Sequence, residues 1–143
     1  MDDLTIRMMQ LSARGYCCSQ ILALLALEAQ GRQNPDLVRA LAGLCLGVGN
    51  SGGTCGVLSG AACLLALYTG KGSDEERTDE RLPLMFAELT DWFSDVVGGA
   101  YGGVLCADIL GDRGGIRQVT IDCVLENKDV PFGDRISERN PFG

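Results

Sequence analysis

The sequence predicts an all-α fold, a compact bundle of about five or six helices with glycine-rich breaks and an irregular C-terminal arm. Apolar residues recur at helical spacing along most of the chain, and glycines stand where these segments end. No sustained alternation of apolar and polar residues indicates a strand. With 143 residues, 46% of them hydrophobic, we expect one all-α domain over residues 1–143, in which residues 126–143 form the extended arm.

The first two helices follow from spacing and from glycine. Leu4, Met8 and Leu11 lie on one helical face, which predicts a short helix that ends at Gly15. A second helix is predicted over residues 16–29. Because that segment is apolar on most sides, we expect it to be central in the bundle.

The third and fourth helices have clear start and stop signals. Asn34 followed by Pro35 is typical of a helix N-cap and first helical position. Helical spacing continues from there to Val48. A fourth helix is predicted over residues 54–68, with Gly70 as its stop.

The second half of the chain continues the helical pattern. Residues 71–81 are charged and predict a solvated connector. A fifth helix is predicted over residues 82–96, with an apolar face expected in the core. A glycine-rich break at residues 98–103 precedes a further short helix. Residues 116–125 fit a helix or a short strand, and we favour the helix.

Two sets of glycines in the middle of the chain have a recognisable spacing. Gly47, Gly49 and Gly52 match a G-x-G-x-x-G pattern, but a dinucleotide site needs a strand before the glycines. Here a helix precedes them, so no nucleotide is expected. Gly52, Gly56 and Gly60 recur every four residues, which predicts a smooth stripe where another helix backbone approaches closely.

Charge and hydropathy limit the partners and the compartment. The net charge is −7, from 12 basic and 19 acidic residues without a basic cluster, so we expect no nucleic acid and no membrane partner. The start of the chain lacks the basic and apolar regions of a secretory signal, and we expect a cytoplasmic protein. The longest uncharged stretch, residues 40–70, is interrupted by glycines, and its apolar part is short enough for a buried helix.

Cysteine is abundant in the chain and histidine is absent. Without histidine there is no Ser-His-Asp or Cys-His catalytic system, no mixed zinc finger and no CxxCH haem site. The chemistry must therefore use thiols, carboxylates or the backbone. The seven cysteines are Cys17, Cys18, Cys45, Cys55, Cys63, Cys106 and Cys123.

The cysteines divide by their local sequence. Cys18, Cys55 and Cys106 each follow a glycine by two or three residues, which places them in the first turn of a predicted helix. Free N–H groups and the helix dipole lower a thiol's pKa there. Cys45 and Cys63 lie inside apolar helical runs, where cysteine packs as a small hydrophobe.

Four segments resemble the signature of the C-GCAxxG-C-C family, whose members are described as redox-active. They are "GYCCSQIL", "GGTCGVLSGA", "GGVLCADILG" and the late Cys123, so the resemblance extends from about residue 4 to residue 123. The central motif differs in its Cys-Gly order and in Val57, where the family has alanine. Cys17 stands where relatives have a polar residue.

The resemblance implies a redox protein that exchanges electrons with an unknown redox partner protein. If it is an enzyme, it would be of the oxidoreductase type. Its site residues would be Cys18, Cys55, Cys106 and Cys123, converging either as ligands of an iron–sulfur cluster or as a thiol–disulfide set. Such a cluster would use the bare backbone at Gly53, Gly56 and Gly60. No haem is expected, and we expect a homodimer.

Spacing alone leaves the chemistry open. The cysteines match no ferredoxin run, and CxxC pairs typical of thioredoxin-like and zinc sites are absent. A structural disulfide framework is not expected in a cytoplasmic chain of this size. The alternative to a redox protein is a non-catalytic helical interaction or dimerisation module with packing cysteines. Convergence of the thiols in space would count against that alternative.

Overall fold

The structure, a computed structural model, describes residues 2–111 and confirms the all-α prediction. Within this range the only strand-like feature is one antiparallel pairing of Thr54 with Leu105. A 3-10 turn at Ala42–Leu44 follows the third helix, and a π-helical turn at Ser94–Gly98 joins the fifth helix to the sixth. The α-helices are α1 (Asp3–Ala13), α2 (Cys18–Gln30), α3 (Pro35–Leu41), α4 (Gly56–Thr69), α5 (Leu82–Phe93), α6 (Gly99–Tyr101) and α7 (Cys106–Leu110).

Helix α2 is central, as its apolar composition predicts. It packs against α1, α3 and α4. Ala23 and Leu27 of α2 form a buried cluster with Val38 and Leu41 of α3, and Cys63 of α4 packs on its edge. The packing role expected of Cys63 is thereby confirmed.

Local signals fix most helix ends. The Asn34 side chain accepts the Leu37 N–H at 3.1 Å and Pro35 is the first residue of α3, as predicted. Gly31 ends α2 in the left-handed conformation, with φ of 67°. None of the helices within residues 2–111 has the length and apolar character that a bilayer crossing requires.

Helix α3 ends earlier than predicted. The sequence indicated a helix as far as Val48, but the α-helix stops at Leu41 and its 3-10 extension at Leu44. Residues 46–50, which we call the left-handed turn, all have positive φ, between 51° and 76°. The two glycines suit this conformation, whereas Leu46 and Val48 each pay about 1–2 kcal/mol for it. Helical spacing predicted the continuation because apolar residues recur in the turn as well.

Gly47 ties the left-handed turn to the segment before α4. The Gly53 N–H donates to the Gly47 carbonyl at 3.0 Å, and a Cβ at Gly47 would overlap the backbone of Gly53. A Cβ at Gly49, in contrast, would meet nothing within 4 Å. The glycine run therefore packs backbone on backbone, and it follows a helix rather than the strand that a dinucleotide site needs.

Two expectations for the second half of the chain are wrong. The glycine break begins at Gly102, with φ of 80°, because α6 continues the helix through Gly99–Tyr101. The predicted apolar face of the fifth helix is only partly core, since Phe93 is 4% exposed but Trp92 is 57% exposed. The segment 116–125 and the arm at 126–143 lie outside the described residues.

Comparing Gly47→Ala with Gly49→Ala tests the packing of the left-handed turn. Both substitutions place alanine at positive φ, which costs about 1–2 kcal/mol. Only Gly47→Ala also forces a Cβ into the Gly53 backbone, so we expect a total loss of about 3 kcal/mol or more in the free energy of unfolding. Urea denaturation of both variants measures the difference, and equal losses would contradict this packing.

Candidate functional site

Three cysteines lie where helices begin, as the sequence predicts. Cys18 is the first residue of α2 and Cys106 the first of α7, while Cys55 is the N-cap of α4. In each case an irregular, glycine-containing segment delivers the chain to the helix.

Backbone pairing brings Cys55 and Cys106 together. The Cys55 N–H donates to the Val104 carbonyl at 2.9 Å, and the Cys106 N–H donates to the Gly53 carbonyl at 2.7 Å. The segments before α4 and α7 thus run side by side in opposite directions. Because each hydrogen bond involves a cysteine's own N–H, the pairing fixes both cysteines at one place.

Glycines bring Cys18 to the same place. A Cβ at Gly56 would lie 2.8 Å from the Cys18 Sγ and 2.9 Å from the Leu44 carbonyl oxygen. A Cβ at Gly60 would lie 3.3 Å from the Ser19 Cα. The close approach predicted for the glycine stripe is therefore confirmed at these two glycines, where α2 meets α4. We call Cys18, Cys55 and Cys106 the thiol cluster.

Burial dominates the electrostatics of the thiol cluster. Cys55 is 9% exposed and Cys106 7% exposed, and Cys18 is half-buried. Burial raises the pKa of both Cys18 and Cys106 above its ordinary value, and negative charge on Cys55 raises both further. The lowering of the pKa expected from the helix starts is not found at these two thiols. At Cys18 desolvation outweighs the nearby N–H groups, and at Cys106 burial and the neighbouring thiols all raise the pKa.

The left-handed turn contributes directly to the environment of Cys18. The backbone N–H groups of Ser19 and Leu46 lower the pKa of Cys18, which works against the effect of burial. Leu46 is the first residue of the left-handed turn. The left-handed turn therefore lies close enough to the half-buried Cys18 to influence its pKa.

A second pair of cysteines adjoins the thiol cluster. Cys17, the N-cap of α2, and Cys45 lie at disulfide-bonding distance, with their Cα atoms 6.0 Å apart. The packing role predicted for Cys45 is wrong, because α3 ends early and Cys45 follows the 3-10 turn in extended backbone. Nothing in the spacing of Cys17 and Cys45 announces the pair, since sequence alone does not give cysteine connectivity.

Sequence reasoning also missed Ser19. Its side chain is fully buried, and its hydroxyl donates to the Leu41 carbonyl at 2.7 Å. The same oxygen lies 3.4 Å from the Cys17 Sγ and 3.6 Å from the Cys45 Sγ. A serine in the first turn of an apolar helix carries no signal that distinguishes this position from an ordinary one.

The predicted cofactor site is partly testable. Thiolates are the right donors for an iron–sulfur cluster, but within residues 2–111 no three cysteine or acidic side chains are arranged to hold a metal ion. Cys123, the predicted fourth ligand, lies outside the described residues. Gly56 borders Cys18, Gly60 borders Ser19 and Gly53 packs on the left-handed turn. The cofactor role of these three glycines stays a prediction.

Comparison with known proteins supports a family assignment. No curated protein and no solved structure gives a significant match. A family model described as "Putative redox-active protein (C_GCAxxG_C_C)" matches residues 16–130, a span that contains all seven cysteines. Because the match covers most of the sequence, the chain belongs to this redox-active family.

Proposed function

We propose that the protein transfers electrons by thiol–disulfide exchange. The Cys17–Cys45 pair is the couple that exchanges with the partner. The thiol cluster beside it and Cys123 are the thiols that can exchange with this pair in turn. One observation carries the proposal: a cysteine pair at bonding distance directly adjoins a thiol of the cluster, since Cys17 and Cys18 are consecutive.

The exchange needs a dithiol partner and two steps. A thiolate of the partner attacks one sulfur of the pair, the Cys17–Cys45 bond breaks, and the other sulfur leaves as a thiolate. The partner's second thiol then attacks the mixed disulfide and releases the pair as a dithiol. Two electrons and two protons pass to the protein, and the partner leaves as a disulfide.

Burial of the thiol cluster supports the assignment of the exchange reaction to the Cys17–Cys45 pair. Only the thiolate attacks a disulfide or is readily oxidised, and the raised pKa of Cys18 and Cys106 keeps both as thiols at neutral pH. Cys18 and Cys106 are thereby kept from attacking, while Cys17 and Cys45, both partly exposed, can be reached by a partner. Each cluster thiol becomes a nucleophile only after it loses its proton.

An iron–sulfur site is the second candidate function. Three thiols lie close together, and thiolates are the ligands that an iron–sulfur cluster takes. When bound, such a cluster would supply one-electron transfer. Within residues 2–111 no metal site is complete and Cys123 lies outside them, whereas Cys17 and Cys45 already lie at bonding distance, so we favour exchange.

A purely structural role for all the cysteines explains less. Cys63 packs on the core as an ordinary apolar residue. The other five cysteines within residues 2–111 lie in one region, in a bonded pair and in mutually interacting thiols. A packing role requires neither the pairing nor the shared location. The homodimer and the cytoplasmic location stay predictions.

Counting free thiols tests exchange against the cluster. The fully reduced, unfolded chain has seven thiols. After mild oxidation of the native protein we expect five or three, with no iron required, because thiols are consumed in pairs. A Cys63→Ser control should start one thiol lower and lose the same number. An anaerobically purified protein that is brown and contains stoichiometric iron would instead establish the cluster.

The pH dependence of alkylation tests the interaction among the cluster thiols. Iodoacetamide reacts with the thiolate, so the onset of labelling reports each pKa. In Cys55→Ser we expect the onset at Cys18 and Cys106 to move to lower pH, because the charge that raises both is gone. Cys63→Ser is the matched control and should move neither. An unchanged onset in Cys55→Ser would show that the thiols do not interact.

The same pKa directions predict how stability depends on pH. The folded protein holds the protons of Cys18 and Cys106 more tightly than the unfolded chain does, for which the ordinary value is 9.0. Stability from this source is complete below pH 9 and is lost as the pH rises further, because the unfolded thiols ionise first. Urea titrations of the wild type and of Cys106→Ser between pH 7 and 10 measure the effect, which should be smaller in the variant.

A further inference from the structure

Ser19 occupies an unusual position for a polar residue. Among the side chains of residues 2–111 it is the one polar group that is fully buried. It lies in the first turn of α2, where Gly60 of α4 approaches so closely that a Cβ there would sit 3.3 Å from both its Cα and Cβ. The site therefore admits a small side chain, and yet that side chain carries a hydroxyl.

The Ser19 hydroxyl lies close to one carbonyl oxygen and two sulfurs. A serine hydroxyl has one proton to donate and two lone pairs to accept with. The proton goes to the Leu41 carbonyl at 2.7 Å. The sulfurs of Cys17 and Cys45 lie 3.4 and 3.6 Å from the same oxygen, and neither carries a proton while they are bonded. One O–H donor thus has three acceptors within reach.

Opening the Cys17–Cys45 bond changes which acceptor forms the strongest hydrogen bond with the Ser19 hydroxyl. The sulfur that leaves becomes a thiolate in a partly buried place, where an uncompensated charge is costly. A hydrogen bond to a charged acceptor is stronger than one to a neutral carbonyl. Rotation of the hydroxyl from Leu41 to the thiolate is therefore favourable, and it requires no movement of the backbone.

The fold favours Cys17 as the sulfur that leaves. Cys17 is the N-cap of α2, a helix of 13 residues whose unpaired N–H groups and dipole stabilise negative charge. Its own N–H is already held by the Gln20 side chain at 3.2 Å, which fixes its position. Cys45 lies outside a helix, in extended backbone after a 3-10 turn. Negative charge on the leaving sulfur is therefore better placed at the start of α2 than at Cys45.

We infer that Ser19 is a catalytic hydroxyl of the exchange reaction, which donates its proton in a hydrogen bond to the Cys17 thiolate as an incoming thiolate bonds to Cys45. This inference rests on the proposed exchange function. The incoming sulfur and Cys45 form the new S–S bond, the Cys17–Cys45 bond breaks, and its electron pair goes to Cys17. The serine proton stays on its oxygen and only changes acceptor.

The test measures reduction of the pair in the full-length protein by dithiothreitol at pH 7, with acid quenching and peptide mass spectrometry of Cys17 and Cys45. Ser19→Ala should slow reduction about tenfold, the effect of losing one hydrogen bond to a charged group. It should also slow alkylation of reduced Cys17 by a similar factor.

Thr69→Val is the matched control for loss of a hydroxyl. Thr69 donates to the Leu65 carbonyl at 2.6 Å within α4, away from every sulfur described here, so this variant should reduce at the wild-type rate. Circular dichroism and urea denaturation identify any variant that does not fold. A folded Ser19→Ala protein that is reduced within twofold of the wild-type rate would overturn the role of Ser19.

A measurement on the wild type keeps the inference testable even if Ser19→Ala does not fold. Trapping the reaction with glutathione, a monothiol, should leave the adduct on Cys45 and a free thiol at Cys17. An adduct on Cys17 would overturn the assigned direction. A wild-type pair that dithiothreitol cannot open reversibly would overturn the exchange function itself, and with it the role of Ser19. Normal exchange with an unaffected Ser19→Ala variant would remove the role of Ser19 alone.

Discussion

The contact between Gly47 and the Gly53 backbone determines how the rest of the site is arranged. It is possible only because the chain reverses its backbone hand over residues 46–50, which in turn ends α3 before Cys45. Cys45 is then free of the helix and reaches Cys17. The Leu46 N–H of the same turn lowers the pKa of Cys18. A small, locally unfavourable stretch of backbone therefore positions the bonded pair and influences one thiol of the cluster.

The chemistry of the site reflects competition between two effects on a thiol. Helix starts favour the thiolate through N–H groups and the dipole, whereas burial favours the neutral thiol. At Cys18 and Cys106 burial prevails, which protects both from uncontrolled oxidation. The pair formed by Cys17 and Cys45 is partly exposed and has a buried hydroxyl within contact of both sulfurs. In the proposed function, neutral thiols thus lie beside an exchangeable bond.

Much of this arrangement follows from the sequence, and the exceptions share a cause. Asn34, Pro35 and Gly31 act through neighbours in the chain, so the starts and ends that they set were predictable. The helix positions of the cluster thiols follow from the glycines before them. The end of α3 was not predictable, because Leu46 and Val48 keep helical spacing and adopt the opposite hand only through contacts with residues 52 and 53. The Cys17–Cys45 pair and the role of Ser19 depend on that tertiary contact, so local patterns do not reveal them.

The central claim is that Cys17 and Cys45 form a bond that opens and closes beside the thiol cluster. Redox titration of the native protein against dithiothreitol, with peptide mapping at each potential, tests this most directly. We expect a reversible two-electron transition in which these two cysteines are linked and then freed, while Cys63 stays reduced throughout. A native protein in which Cys17 and Cys45 are never linked to each other, at any potential, would contradict it.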